Sequence, residues 1–298
     1  MDQNTFTIAL NSDEQNRVKD VLSANSWNEV SDNNQYIKCR FKNGNGSVAI
    51  LYNSGKLVFQ GKENFTSVIS NIKENIDVEI NDFQSHIGVD EVGKGDYFGP
   101  LVVVGCFADI EFAKRAKLLG FVDSKKITDK KITKLYESVK DYPYYYSSVV
   151  YPKEYNKLAK EYGNVSILLA KQHSLVIENG LRDLQSRGIE CKHVIIDQFA
   201  SSKNRVLDEL GELGRSIEFE QFHKGESDIA VAIASVIARG IFLEEWEKMC
   251  KEYNFEFPKG ASNVLYSARD FIQQFGTEEL ENVAKTGFKT TQNIMKLF

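Results

Sequence analysis

The sequence is poor in the residues that build cysteine- and histidine-based sites. Its 298 residues include four cysteines and four histidines, with no CxxC pair and no two histidines at metal-ligand spacing. This scarcity argues against a disulfide framework and against a zinc site. Any bound metal is therefore expected to sit on carboxylates.

Long apolar runs and an excess of positive charge are also missing. The longest apolar stretch, LVVVGCFA at 101–108, is too short to span a bilayer, and the amino terminus MDQNTF lacks a signal peptide. We therefore expect a cytoplasmic protein with no membrane contact. The formal net charge of -5 argues against a protein that coats nucleic acid through bulk charge, because phosphate binding needs clustered cations.

The composition is otherwise that of a soluble globular protein, with 42% hydrophobic and 27% charged residues. At roughly 150 residues per domain, the length favours two domains. A polar segment at 81–85 has the character of a linker. We therefore predict a first domain over residues 1–80 and a second over residues 86–298.

The first domain has the pattern of a small α+β module. An amphipathic helix is predicted over residues 13–22, three strands between 36 and 60 with NGNG and NSG turns, and a second helix near 63–76. Such a module has one open sheet face.

One face of the strand YIKCRFK is basic. Strand alternation places Lys38, Arg40 and Lys42 on the face opposite the apolar residues. The stretch from Lys38 to Lys62 also contains Lys56 and has no acidic residue. This pattern indicates a phosphate-contacting surface, although an ordinary solvated strand face has the same pattern.

In the second domain, strands precede and then alternate with helices. Strands are predicted at 86–92, 101–108, 145–151, 192–197 and 217–222. Helices are predicted near 129–140, 164–187, 203–211 and 227–252. This order favours an α/β fold, a mixed sheet flanked by helices, with polar chemistry where strands end.

The segment GVDEVGKGDYFGP at 88–100 carries the strongest chemical signal. A short apolar strand delivers Asp90 and Glu91 into a turn with three glycines, which lets the backbone approach a ligand while Lys94 adds a cation. The spacing matches neither a P-loop nor a dinucleotide-binding loop. A plain hairpin turn remains the alternative for the glycines.

Further acids occupy comparable positions later in the chain. Asp197 ends the buried strand in KHVIIDQF, where the alternative role is a helix cap or a salt bridge. In KGESDIAVAIASVIAR at 224–239, Asp228 fits the cap of the following helix, so we prefer Glu226 as a fourth carboxylate and keep Asp228 as the alternative.

Four carboxylates can hold two magnesium ions for an in-line displacement at phosphorus. Adjacent Asp90 and Glu91 pose a difficulty, because neighbouring residues of a regular strand point to opposite faces. Either the glycine turn bends the chain there, or one acid acts through its backbone or at longer range.

These segments together resemble the type 2 ribonuclease H family. The resemblance rests on GVDEVGKGDYFGP, on DSKKIT at 123–128, on VIID at 194–197 and on the KGES…IASVIAR helix, and it spans nearly all of residues 86–298. The DYFGP ending and an additional amino-terminal domain are similar to the ribonuclease HIII branch of that family. The match departs from the ribonuclease HII pattern at Glu226, where that pattern has KGD.

The resemblance implies a ribonuclease H-like catalytic domain, preceded by a TATA-binding-protein-like substrate-binding domain. It implies cleavage of the RNA strand of RNA–DNA hybrids, with 3′-hydroxyl and 5′-phosphate ends and with two Mg²⁺ or Mn²⁺ ions. The implied metal ligands and catalytic residues are Asp90, Glu91, Asp197 and Glu226.

The resemblance also implies nucleic-acid contacts. The backbone of Gly93, Lys94 and Gly95 is expected to contact ribose 2′-hydroxyls, and the side chains of Ser124, Lys125 and Lys126 are expected to contact phosphates. The basic residues of the first domain then become a hybrid-docking surface.

Three other functions stay open on the sequence alone. They are a ribonuclease HII-like nuclease that cuts at a lone ribonucleotide, a non-catalytic hybrid-binding module, and a metal enzyme for small phosphates. The last has no need of the basic stretch from Lys38 to Lys62. In each case we expect a monomer.

Overall fold

The computed structural model describes residues 4–10, 12–63, 65, 68–69, 83–121, 124, 127–197, 204–222, 227–261 and 264–296. The chain forms two compact units. One comprises Met1–Gln84 with Ile110–Phe121, and the other comprises Ser85–Asp109 with Val122–Phe298. Each unit contains one five-stranded sheet.

The amino-terminal unit combines an antiparallel sheet with helices. The first predicted helix and the three predicted strands are confirmed as α1 (Ser12–Ala24), β3 (Ile37–Lys42), β4 (Val48–Tyr52) and β5 (Lys56–Gly61). Two strands that the sequence analysis lacks, β1 (Asn4–Ala9) and β2 (Asn28–Val30), give the order β1-β5-β4-β3-β2. The second predicted helix, near 63–76, falls largely outside the described residues.

The two faces of this sheet differ in burial, as strand alternation predicts. Cys39 and Phe41 are buried, whereas Lys42 is exposed. The tight turns use Gly46 and Gly55, whose φ angles of +78° and +81° lie in the left-handed region that glycine adopts without strain. The unit is therefore an α+β module with one apolar sheet face, and its other face carries the basic residues together with Ile50 and Val58.

A helix from a later part of the chain belongs to this unit. α2 (Ile110–Leu119) packs beside β1 and buries Phe112, Ala113 and Ala116. No helix was predicted at these residues. The unit is discontinuous in sequence, and the division into residues 1–80 and 86–298 stays a prediction.

The second unit is built on a mixed sheet, as the order of elements predicts. Strands β6 (His86–Val92), β7 (Leu101–Ala108) and β8 (Tyr145–Val150) are antiparallel, and β9 (His193–Asp197) and β10 (Glu218–Phe222) run parallel to β6. The spatial order is β10-β9-β6-β7-β8. The central strand β6 thus has an antiparallel neighbour on one side and a parallel neighbour on the other.

The predicted helices of this unit are present. They are α3 (Asp129–Glu137), α5 (Val165–Ser186), α6 (Asn204–Leu207) and α8 (Ile229–Tyr253). The structure adds α4 (Pro152–Tyr162), α7 (Glu212–Arg215), α9 (Leu265–Phe275), α10 (Leu280–Val283) and α11 (Lys289–Met295). In the part of the chain that the structure describes, no helix has the length and apolar character needed to cross a membrane.

Helices cover both faces of the sheet. On one face α8 approaches β6 closely, because a Cβ atom on Gly88 would lie 2.2 Å from backbone atoms of Ala230 and Val231. On the other face α5 contacts the sheet, with Val176 Cγ2 3.4 Å from the Cβ position of Gly105. The strand that carries Asp90 and Glu91 is therefore held between two helices.

Alanine at position 88 tests the contact between β6 and α8. The added methyl group meets backbone atoms that no side-chain rotation can move, so we expect Gly88→Ala to lower the free energy of unfolding by about 3 kcal/mol. The midpoint of urea unfolding measures the change. Gly287→Ala is the matched control, since nothing lies within 4 Å of its Cβ position, and equal midpoints for both variants would contradict the contact.

Candidate functional site

Asp90 and Asp197 meet at one edge of the second sheet. Asp90 lies near the carboxyl end of β6, and Asp197 is the last residue of β9. Because Val89 lies opposite Ile196 in this parallel pair, the two acids are the next residues of each strand and share a face. Neighbouring strands are about 4.8 Å apart, which brings both carboxylates within reach of a common cation.

Asp90 is shielded from water. The residue is 4% exposed, and its Oδ1 atom accepts a hydrogen bond of 2.7 Å from the backbone N–H of Glu91. A buried carboxylate is costly unless a cation or hydrogen-bond donors compensate its charge. Its burial at a strand end beside a second acid fits a cation ligand.

Glu91 points to the opposite face of the sheet. Its Oε2 atom lies 3.2 Å from Nε2 of His173, a fully buried residue of α5. The turn after β6 therefore does not rotate both acidic side chains to one side. Of the possibilities that the sequence leaves for Glu91, action through its backbone carbonyl or at longer range agrees with this pairing.

Asp228 has the capping role predicted for it. It is the N-cap residue of α8, and its Oδ1 atom accepts a hydrogen bond of 3.0 Å from the backbone N–H of Val231. The same atom lies 2.9 Å from Nε2 of His86, which is buried. These contacts engage the carboxylate that competes with Glu226 for the fourth position, and Glu226 itself falls outside the described residues.

The glycine-rich turn after β6 has a packed side and an open side. Gly93 has a φ angle of +90°, and a Cβ atom there would lie 2.1 Å from the carbonyl oxygen of Pro100. Gly95 has nothing within 4 Å of its Cβ position, and the neighbouring Lys94 is exposed. Internal packing thus accounts for Gly93, whereas Gly95 has open space beside it and Lys94 is exposed.

Polar contacts connect this turn to the start of α3. Asp96 Oδ1 accepts a hydrogen bond of 2.7 Å from the backbone N–H of Gly260. The adjacent Lys259 donates to Asp129 Oδ2 at 2.6 Å, and Arg239 of α8 lies 3.1 Å from Asp129 Oδ1. Although burial opposes the shift, the bonds from Lys259 and Arg239 lower the pKa of Asp129. The carboxylate therefore stays ionised at neutral pH and joins these segments.

The DSKK segment is attached to α8 through two serines. The buried Ser235 donates from its Oγ to Ser124 Oγ at 2.7 Å, and the backbone N–H of Ser124 lies 3.4 Å from Ser235 Oγ. Lys125 and Lys126 fall outside the described residues. The phosphate contacts of all three positions stay predictions.

Asp32 lies against the basic surface of the amino-terminal unit. Lys42 and Lys56 are exposed, as predicted for a solvent-facing cationic surface. Arg40, in contrast, forms an ion pair of 2.6 Å between its Nε atom and Asp32 Oδ2. The stretch from Lys38 to Lys62 contains no acidic residue, but folding brings Asp32, which precedes the stretch, into contact with Arg40.

Lys38 lies at an irregularity in the strand pairing. The register of β3 against β4 shifts between Ile37 and Cys39, while the burial of β3 still alternates and Lys38 is exposed, as predicted. Its Nζ atom donates to Gln15 Oε1 of α1 at 3.1 Å. Lys38, Lys42 and Lys56 are all exposed, and the ammonium group of Lys38 is already engaged with α1.

Sequence reasoning missed three buried polar residues around the site. His173 pairs with Glu91, His86 pairs with Asp228, and Lys285 donates hydrogen bonds to the glycine-rich turn. An isolated histidine or lysine has no partner at a recognisable spacing, and each of these meets its partner only through folding. No sequence pattern identifies them.

The acids at the sheet edge fit a hard divalent cation. Carboxylate oxygens are the ligands that Mg²⁺ and Mn²⁺ prefer, and Asp90 and Asp197 supply them from adjacent strands. Among the described residues, no group of three or more histidine, cysteine or acidic side chains forms a metal cage. The predicted set is completed by Glu226, which falls outside that part of the chain.

Comparison with known proteins gives a consistent picture. The sequence model of the family described as ribonuclease HII matches residues 87–291. The chain is 35% identical to a ribonuclease HIII of Protochlamydia amoebophila, with 84% of each chain covered. It is 33% identical to a ribonuclease HIII of Chlamydia pneumoniae, with 97% of each chain covered.

Solved structures are similar over nearly the whole chain. The crystal structure of Bst-RNase HIII in complex with Mn²⁺ is 27% identical and covers 99% of both chains, with a TM-score of 0.66. The crystal structure of Aquifex aeolicus RNase H3 is 25% identical and covers 94% of this chain and 99% of its own, with a TM-score of 0.55.

Two substitutions of Asp228 test its capping role. Asparagine caps a helix about as well as aspartate, so we expect Asp228→Asn to change the free energy of unfolding by less than about 0.5 kcal/mol. Asp228→Ala removes the cap and the acceptor for buried His86, and we expect a loss of about 2 kcal/mol. Urea unfolding distinguishes the two, and an equal loss in both variants would refute the cap.

Proposed function

The chain belongs to the ribonuclease HII family, and from that premise we propose how its own residues act in the reaction. It is a metal-dependent endoribonuclease that hydrolyses the RNA strand of RNA–DNA hybrids. The in-register pairing of β6 with β9 is the observation that supports Asp90 and Asp197 as the central metal ligands. Cleavage leaves 3′-hydroxyl and 5′-phosphate ends in this proposal.

Asp90, Glu91, Asp197 and Glu226 would hold Mg²⁺ or Mn²⁺. Two such ions, when bound, supply Lewis-acid activation of the attacking water and stabilisation of the leaving oxygen. Glu91 contributes its backbone carbonyl or acts at longer range, because its carboxylate is paired with α5. Glu226 takes the fourth position because Asp228 is engaged at the start of α8.

The glycine-rich turn selects RNA in this proposal. Gly93, Lys94 and Gly95 present backbone groups to ribose 2′-hydroxyls, which DNA lacks. The open space at the Cβ position of Gly95 supports this role, since no atom of the described residues lies within 4 Å of it. Ser124, Lys125 and Lys126 hold neighbouring phosphates. Helix α8 positions Ser124 through a hydrogen bond from Ser235.

The amino-terminal unit binds the hybrid through its basic surface. Lys42 and Lys56 are the principal phosphate contacts, because both are exposed and the equally exposed Lys38 already donates to Gln15. Arg40 and Lys38 contribute more weakly, since each already has a partner within the unit. This division of roles makes the unit a substrate-binding domain and leaves the chemistry to the second unit.

We also propose that the protein acts as a monomer in the cytoplasm. Its four cysteines are free thiols, which fits a reducing compartment. All of the proposed metal ligands come from one chain, so the site needs no contribution from a second copy.

Removal of the charge at Asp90 tests the metal site. Asp90→Asn is expected to reduce cleavage of a continuous RNA–DNA hybrid in Mg²⁺ by a factor of about 1000 or more, because metal activation contributes several kcal/mol. Hybrid binding without metal should stay within about twofold of the wild-type value. A gel assay with labelled RNA and a titration measure the two quantities.

Asp141→Asn is the matched control, because Asp141 is exposed in a turn and has no place in the proposed site. Undiminished cleavage by Asp90→Asn would refute the metal site. Cleavage by the wild-type protein only at a lone ribonucleotide would assign it instead to the ribonuclease HII type.

Neutralising two lysines tests the basic surface. A plot of log affinity against log salt concentration has a negative slope. We expect the double substitution Lys42→Gln and Lys56→Gln to make that slope less negative by about 2, because each phosphate contact releases about one counterion. Fluorescence anisotropy with a labelled hybrid at several salt concentrations measures the slope. Lys153→Gln with Lys192→Gln removes the same charge from exposed positions of the other unit, and an equal slope change there would refute the assignment.

A further inference from the structure

A short segment near the carboxyl terminus pairs with the second half of the glycine-rich turn. Gly99 N–H donates to the carbonyl oxygen of Val283 at 2.9 Å, and Lys285 N–H donates to that of Tyr97 at 2.8 Å. This antiparallel pairing places the side chain of Lys285 beneath the turn, where the residue is 0% exposed.

The ammonium group of Lys285 is surrounded by carbonyl oxygens of the turn. Its Nζ atom lies 2.6 Å from the oxygen of Gly99, 3.0 Å from that of Asp96, 3.4 Å from that of Pro100 and 3.5 Å from that of Phe98. A lysine has three N–H donors, so these four acceptors share them. One side chain thereby fixes the direction of four consecutive or nearly consecutive peptide groups.

Burial of this lysine has a large free-energy cost. Removal from water lowers the pKa of Lys285 to about 7, against a smaller opposing effect of Asp96. An apolar side chain of similar volume would fill the same space without that cost. The ammonium group also lies 5.5 Å from the ring centroid of Tyr155, but its hydrogen bonds to carbonyl oxygens go to the turn, so the turn is what these bonds stabilise.

The carbonyl groups that Lys285 binds are directly connected to the proposed RNA-contacting residues. Asp96 follows Gly95, and its N–H donates to the carbonyl oxygen of Gly93 at 3.2 Å. The oxygen of Pro100 is the atom that would lie 2.1 Å from a Cβ atom on Gly93. The ammonium group therefore supports the packed side of the turn whose open side carries Gly95.

We propose that Lys285 is a positioning residue for RNA recognition, whose ammonium group holds the 93–96 backbone in the orientation that meets ribose 2′-hydroxyls. This inference rests on the proposed function of Gly93, Lys94 and Gly95. Lys285 itself contacts no substrate, because its side chain is enclosed by the chain. It acts through the carbonyl groups of the turn.

Lys285→Met in the full-length protein tests the proposal, since methionine keeps the volume and removes the three donors. The KM for a continuous RNA–DNA hybrid is expected to rise about tenfold while kcat stays within about threefold. The ratio of affinities for the hybrid and for a DNA duplex of the same sequence, measured without metal, is expected to fall about tenfold. Lys157→Met, at an exposed position of α4, is the matched control and should change neither quantity.

The affinity ratio separates positioning from general stabilisation. A lower urea midpoint with an unchanged ratio and an unchanged KM would overturn the proposal, as would a loss of kcat alone. If Lys285→Met does not fold, Lys285→Gln provides the measurement, because a neutral amide with two donors cannot bind four carbonyls and should also lower the ratio. An unchanged ratio in folded Lys285→Gln overturns the proposal. A wild-type protein that neither prefers nor cleaves the hybrid would refute the proposed function itself.

Discussion

The pairing register between β6 and β9 is the constraint on which the site depends. Because side chains alternate between faces, a shift of one residue would send Asp90 and Asp197 to opposite sides of the sheet. The close contact between Gly88 and the backbone of α8 keeps β6 from sliding, since any larger residue brought to that point would clash. Gly88, two residues before Asp90, therefore helps to fix the position of that carboxylate.

The alternation of side chains along β6 also sends Asp90 and Glu91 to opposite faces of the sheet. On each face, a buried histidine pairs with an acidic residue. On the α5 face, His173 holds the carboxylate of Glu91. On the α8 face, His86 and a helix cap hold Asp228. Two histidines thus restrain acidic side chains that would otherwise compete for a cation, and Asp90 is left at the strand edge beside Asp197. The arrangement agrees with Asp90 and Asp197 as the central pair of the proposed ligand set.

The parts of this protein that depend on local sequence were predictable. Strands β6 and β9 were predicted from apolar runs that end in acidic residues. The cap at Asp228 was predicted from its place directly before an alanine-rich helix. Strands and caps are determined by residues that are close in the chain, which is why both were predictable. The irregularity at Lys38 and the ion pair of Arg40 with Asp32 were not predictable, since both depend on the neighbouring strand or helix. The role of Lys285 was not predictable for the same reason. The carbonyl groups that accept its hydrogen bonds precede it by nearly two hundred residues.

The discontinuity of the amino-terminal unit affects how the protein is made. The unit consists of residues up to Gln84 and of Ile110–Phe121. The chain therefore crosses between the two units three times, after Gln84, Asp109 and Phe121. A ribosome that has released only the first 84 residues has already delivered β1 and its strand partner β5, but α2, the helix that packs beside β1, emerges only with residue 119. By then β6 and β7 have also been synthesised. The amino-terminal unit therefore receives its last helix only after the first two strands of the second unit have been made, although its whole sheet lies within the first 84 residues.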